Sequence, residues 1–184
     1  MDSIDELDDD GIRVFRRNMQ MIFQDPYESL NPRWTIKDII KEPLDIHNIG
    51  ALNDREEAVV EILRTVGLTP PENYLSRYPH EISGGQRQRV SIARTLIMKP
   101  KFVICDEPTS MLDVSIRISI MDLMLNLAKD LDVSYLYITH DLAVARYMCN
   151  RIAVMFNGKI VEIADTEDLL QNPIHPYTCL LYTS

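Results

Sequence analysis

"FVICDEPTS", residues 102–110, decides the fold: four apolar residues run unbroken into Asp106 and Glu107, and Pro108 stops the run. An apolar run that short fits a buried parallel strand rather than the alternating pattern of a surface strand. Outward from it, helix and strand alternate. A helix is predicted upstream from about Gly84 to Met98, ending before Lys99-Pro100. Downstream come a helix near 114–129, the strand "VSYLYIT" at 133–139 and a helix from Asp141 to about Cys149. "RIAVMFNGKIVEI", 151–163, reads as two strands around Asn157-Gly158, a strong hairpin signal. "NMQMIFQDP", 18–26, adds a short strand from Met19 to Phe23, stopped by Pro26. Alternation of this kind predicts an α/β fold with a mostly parallel sheet.

The stretch from 35 to 80 breaks the alternation and reads as a helical insertion. Asn53 and Glu56 have the spacing of a capping box, Val59, Ile62, Leu63 and Val66 share one face, and Gly67 offers a stop. "LTPPENYLSRYP", 68–79, is a proline-punctuated connection with room for one helical turn. Residues 1–11, acidic and turn-like, are expected to be loop, and neither repeats nor low-complexity segments occur.

The totals exclude several functions. A chain of 184 residues suits one domain, with or without a helical appendage, and a formal charge of −9 disfavours non-specific nucleic-acid binding. Cys105, Cys149 and Cys179 form no CxxC pair, so neither a zinc site nor a disulfide framework is suggested, and a reducing, cytoplasmic setting fits. No apolar run approaches the roughly 18 residues of a membrane span, and "MDSIDELDDDG" is too acidic for a signal peptide.

Candidate chemistry collects at strand ends, where open α/β sheets place their ligands. Asp106 can hold a magnesium ion while Glu107 polarises a water, although an Asp-Glu pair also serves as a turn cap. His140, after the run "YLYIT", is a structural hydrogen-bonder or, if its strand neighbours 102–106, a group that bonds a terminal phosphate oxygen. Gln24, at the end of a third strand, can add a neutral ligand to metal or water. Ser83, Gly84 and Gly85 open a helix as either an ordinary N-cap or an anion site. Gln86, Arg87 and Arg89 follow, and cations in a first helical turn predict an anion or acidic partner that offsets them.

Together these residues resemble the ATP-binding subunit of an ABC transporter. "IFQDP" (22–26) is similar to the family's glutamine loop and "ISGGQ" (82–86) to its signature, with Ile82 where Leu is usual. "FVICDEPTS" resembles its Walker B strand, "SMLD" (110–113) its D-loop with Met111 where Ala is usual, and "ITHD" (138–141) its histidine loop. Five motifs in the family's order are specific. "FQDPYESLNPR", "IIKEPLDIH" and "NPIHPYT" further resemble the oligopeptide, dipeptide and nickel import group.

The resemblance implies a P-loop NTPase fold of the ABC type, with 27–98 as the inserted helical subdomain, 99–164 as part of the α/β core and 165–184 as the start of a C-terminal extension. It implies ATP and Mg2+ as cofactors, Gln24 and Asp106 at the metal, Glu107 as general base and His140 at the terminal phosphate. Ser83, Gly84, Gly85 and Gln86 would bind nucleotide held by a second ATPase subunit, with Asp113 at that interface. Transmembrane permease subunits would dock on the helical insertion, and a solute-binding protein would act indirectly, at the cytoplasmic face of the membrane. A non-transport ABC ATPase, a module that only donates its signature to a partner, and an unrelated metal hydrolase are the competing readings. One departure stands out: no GxxxxGK[ST] phosphate loop occurs, nor an upstream strand and aromatic residue for adenine. The expectation is therefore a chain that starts just ahead of the glutamine loop, has an exposed apolar sheet edge, and hydrolyses negligible ATP alone. The closing "YTS", 182–184, has no reading.

Overall fold

The computed structural model describes residues 7–181, so Tyr182 to Ser184 and the first six residues lie outside the description. Two compact units divide between Leu136 and Tyr137.

In the first unit, strand β1 (Met19–Ile22) pairs parallel with β2 (Phe102–Asp106), in a register running from Met19 opposite Phe102 to Ile22 opposite Cys105. Strand β3 (Ser134–Ile138) completes the order β1-β2-β3. The Lys101 N–H donates to Asn18 O, and the Ser134 N–H donates to Lys101 O, each at 3.0 Å, so the strands begin in line. Val103 and Cys105 are fully buried, whereas Phe102, Ile104 and Asp106 are half-buried. Among the described residues β2 is thus sealed on one face and partly covered on the other. Leu136 is about half exposed, at 49%.

Three longer helices, with short ones between them, fill residues 36–96. Helix α3 (Ile36–Ile46) is capped by Thr35, whose hydroxyl accepts the Asp38 N–H at 3.2 Å, and buries Ile36, Ile39, Ile40 and Leu44. That spacing is one helical stripe, and burying each such side chain stabilises by about 1.5–3 kcal/mol. Helix α4 (Leu52–Thr65) buries Val59, Ile62 and Leu63, with Val66 and Gly67 (φ 77°) closing it. Helix α6 (Gly84–Leu96) buries Val90, Ala93 and Leu96, and Arg94 reaches Glu42 on α3 at 2.8 Å.

Several expectations are corrected. Of the acidic residues 1–11, the first six lie outside the described residues, and Asp9 to Gly11 open a helix, α1 (Asp9–Asn18): Asp8 caps it by accepting the Gly11 N–H at 2.7 Å, and Arg16 and Arg17 occupy its last turn. Pro26 opens the short helix α2 (Pro26–Ser29), a position that needs no N–H. The α4 cap is Ala51 rather than Asn53, because the Asp54 carboxylate accepts the Ala51 N–H at 3.0 Å. Glu56 turns instead to Lys37, at 2.6 Å. The proline-punctuated connection holds one helical turn as expected, α5 (Glu72–Leu75).

Helix α7 (Val114–Asp130) leads into β3. In the second unit α8 (Leu142–Met148) is capped by Asp141, whose carboxylate accepts the Ala143 N–H at 2.8 Å. Strands β4 (Arg151–Phe156) and β5 (Lys159–Asp165) form an antiparallel hairpin. Asn157 and Gly158 both take positive φ, 48° and 75°, as a two-residue turn with the sheet's own twist requires. Ala145, Ile152, Val154 and Leu169 form this unit's core, the last from α9 (Thr166–Gln171). Glu162 accepts the N–H groups of Ile174 and His175, at 2.9 and 3.0 Å, and the Thr178 hydroxyl at 2.6 Å. It thereby anchors α10 (Pro176–Leu181) and the residues before it, and these bonds, Thr178's foremost, hold its carboxyl below the usual carboxylate range. Among the described residues no helix is long and apolar enough to cross a membrane.

Candidate functional site

Parallel register decides what meets at the sheet edge. Ile22 lies opposite Cys105, so Gln24 and Glu107, each two residues further on, leave the carboxyl ends of neighbouring strands together. The Gln24 amide Nε2 donates to Glu107 Oε2 at 3.2 Å and lies 3.4 Å from Ser110 Oγ. The Ser110 hydroxyl in turn donates to Glu107 O at 3.0 Å, closing the turn that follows β2. Glu107 itself sits at φ 41°, in the left-handed region. An ionised carboxylate accepts at two oxygens, so the group that takes the Gln24 amide bond is of the type that can accept a water proton, as a general base does.

Asp106, half-buried, is the last residue of β2. Asp106, Glu107 and the Gln24 carbonyl are hard oxygen donors, and no group of three or more His, Cys, Asp or Glu gathers among the described residues. That donor set fits magnesium, which binds through one or two carboxylates while phosphate oxygens and water complete its octahedron. His140, exposed, lies in the second unit between β3 and α8. Its neighbour Thr139 accepts the Asp141 N–H at 3.1 Å.

The start of α6 is a closed capping box. Ser83 Oγ accepts the Gln86 N–H at 3.3 Å, and Gln86 Oε1 accepts the Ser83 N–H at 2.9 Å. At Gly85 glycine is needed by close approach rather than by backbone angle: a Cβ there would stand 2.7 Å from Ile116 Cγ2 on α7, whereas one on Gly84 would meet Leu112 at 3.7 Å, an ordinary contact. Asp113, exposed, is the N-cap of α7 without a side-chain cap bond.

Arg87 and Arg89, expected to face an anion or an acidic partner, find hydrogen-bond partners within the chain. Arg87 is buried and donates to Pro79 O and Ile82 O at 2.9 and 2.7 Å. Arg89 donates to Val66 O at 2.6 Å and to Ser119 Oγ at 2.8 Å. Burial lowers the Arg89 pKa, but a guanidinium stays charged at neutral pH. Backbone carbonyls and the Ser119 hydroxyl thus receive hydrogen bonds from these guanidinium groups. Sequence reasoning missed Ser110, Ile116 and Ser119; only Ser110 carried a local signal, as a hydroxyl three residues after Glu107 in a proline-containing turn.

Comparisons with known proteins give the chain's family. The family described as "ABC transporter" matches residues 2–110. The oligopeptide transport ATP-binding protein OppF of Bacillus subtilis (strain 168) is 53% identical over 165 residues, covering 89% of this chain and 53% of that protein. The glutathione import ATP-binding protein GsiA of Escherichia coli (strain K12) is 49% identical over 175 residues, covering 95% of this chain and 28% of that one. The chain thus spans about half the length of OppF, and less of GsiA. Among solved structures, the dimeric post-hydrolysis state of the ATP-binding cassette MJ0796, bound to ADP and Pi, matches with a TM-score of 0.73 and 31% identity. That match covers 88% of this chain and 68% of that one. The structure of cbiO1 from Clostridium perfringens, part of the ABC transporter complex cbiONQ, matches with a TM-score of 0.78 and 27% identity, over 90% of this chain and 64% of that one.

Proposed function

The chain belongs to the ABC transporter family, and from that premise we propose that it is part of the ATP-binding and ATP-hydrolysing subunit of an importer for peptides or related solutes. The observation that carries the reading is the meeting of Gln24 and Glu107 at one sheet edge, 83 residues apart in sequence, beside Asp106.

In this reading Asp106 and Gln24 hold magnesium, which neutralises phosphate charge when bound. Glu107 accepts a proton from the attacking water, and the Gln24 amide and Ser110 keep its carboxylate oriented. His140 contacts the terminal phosphate. Ser83, Gly84, Gly85 and Gln86 face nucleotide held by a second ATPase subunit, and Asp113 lies at that interface, so two subunits complete each other's sites. Permease subunits receive the insertion formed by α3, α4 and α6, and a solute-binding protein acts through them. In this reading the chain works at the cytoplasmic face of the membrane, bound to those permease subunits. The relatives' names, for oligopeptide, dipeptide and glutathione transport, favour small peptides as cargo.

The test is phosphate release from MgATP by the assembled transporter, with and without peptide. Release that requires magnesium, rises with peptide and falls about 100-fold or more in Glu107→Gln supports the proposal. Release indifferent to that substitution overturns it.

A further inference from the structure

We infer that Arg89 and Ser119 are positioning residues, whose contact fixes the first turn of α6 against the first turn of α7. The inference rests on the reading above, in which those turns present Ser83 to Gln86 and Asp113 to a partner subunit.

Arg89 lies six residues after Ser83, and Ser119 lies six residues after Asp113, so the two helices touch at equal depth from their starts. The guanidinium forks: Nη1 donates to Val66 O at the end of α4 and Nη2 to Ser119 Oγ on α7. Two glycines make room for the arrangement. At Gly67, φ is 77° and a Cβ would stand 2.9 Å from Arg89 Nη1; at Gly85, a Cβ would stand 2.7 Å from Ile116 Cγ2. An apolar contact at the first turn and the charged fork a turn deeper both tie α6 to α7.

The body of α6 is held by its packing on α3, α4 and β1, so the fork acts on the end nearest α7. Without it that tie loosens, and Ser83 shifts relative to Asp113. Misplacement by about 1 Å at a reacting phosphate costs as much as 100-fold in rate. Lysine does not replace the fork, because one ammonium lacks the planar spacing that reaches a carbonyl and a hydroxyl on different helices.

The test compares Ser119→Ala, Ser119→Thr and Arg89→Lys in the full protein within its assembled transporter, reading kcat, KM for ATP and the thermal midpoint. Ser119→Ala is expected to lower kcat about fivefold and Arg89→Lys about tenfold, with KM for ATP near wild type. Ser119→Thr, which keeps the hydroxyl, is expected to restore at least about half of the lost kcat. Wild-type kcat in Ser119→Ala, or a loss that Ser119→Thr fails to restore, overturns the inference. If the wild-type transporter hydrolyses no ATP, the function proposed above fails and takes this inference with it. Wild-type hydrolysis alongside indifferent variants removes this inference alone.

Discussion

At the strand ends Gln24 reaches Glu107 across 83 residues of sequence, whereas at the start of α6 Ser83 and Gln86 bond each other across three. The first cluster exists only when β1 and β2 pair in the observed register, since a one-residue slip would turn every side chain to the other face. The second forms as soon as the helix does. The first cluster depends on the sheet for its assembly, while the bonds between Ser83 and Gln86 come with the helix turn itself. Substitutions at the first should cost chemistry alone, and those that strip or crowd the base of α6 should cost stability as well.

The largest expected effect is at the helix. Arg87→Met leaves the buried carbonyls of Pro79 and Ile82 without their guanidinium and should cost about 3 kcal/mol of unfolding free energy, read by denaturant titration. If Arg87→Met instead weakened nucleotide binding with stability intact, the contrast would break. Gly85→Ala pushes a methyl to 2.7 Å from Ile116 and should cost about 1–3 kcal/mol, and adding Ile116→Ala should recover part of it. Gln24→Ala should show the opposite pattern. Phosphate release falls about tenfold while stability stays within about 0.5 kcal/mol, because the side chain is exposed.

The smallest effect belongs to the second unit. Glu162 has a folded pKa held below its ordinary 4.5, so the unfolded chain binds its proton first. Its contribution is complete above about 4.5 and disappears as pH falls through the lower folded value. Amide protection at Ile174 and His175 should drop in that window, and Glu162→Gln should remove the pH dependence. Unchanged protection would mean that the segment before α10 is held by something else.

Elements with a strong period or turn signal were legible in the sequence: β1 and β2 from apolar runs closed by polar residues, and the β4–β5 hairpin from Asn157-Gly158. Helix α1 was not, because Gly11 and three successive aspartates read as a turn. The informative signal was charge order, Asp8 to Asp10 ahead of Arg16 and Arg17, which suits a helix dipole. The α4 cap shifted by two residues because Asp54 serves the N–H of an alanine. The site's residue types were legible, but the destinations of long side chains were not. Arg87 and Arg89 find Pro79, Ile82 and Val66 carbonyls whose directions are fixed by loop ends and by the packing of α4 on α6, which no local pattern encodes.

Glu107 holds φ at 41°, a conformation that glycine and asparagine adopt more readily than glutamate, at a cost of about 1 kcal/mol for a residue with an ordinary side chain. Stability and proton transfer therefore pull this position in opposite directions. A library at residue 107 sorted by survival of heating would enrich Gly and Asn and rank the wild type below its own inactive variants. Among homologous sequences, a Gly or Asn at the corresponding position would mark a lineage released from hydrolysis.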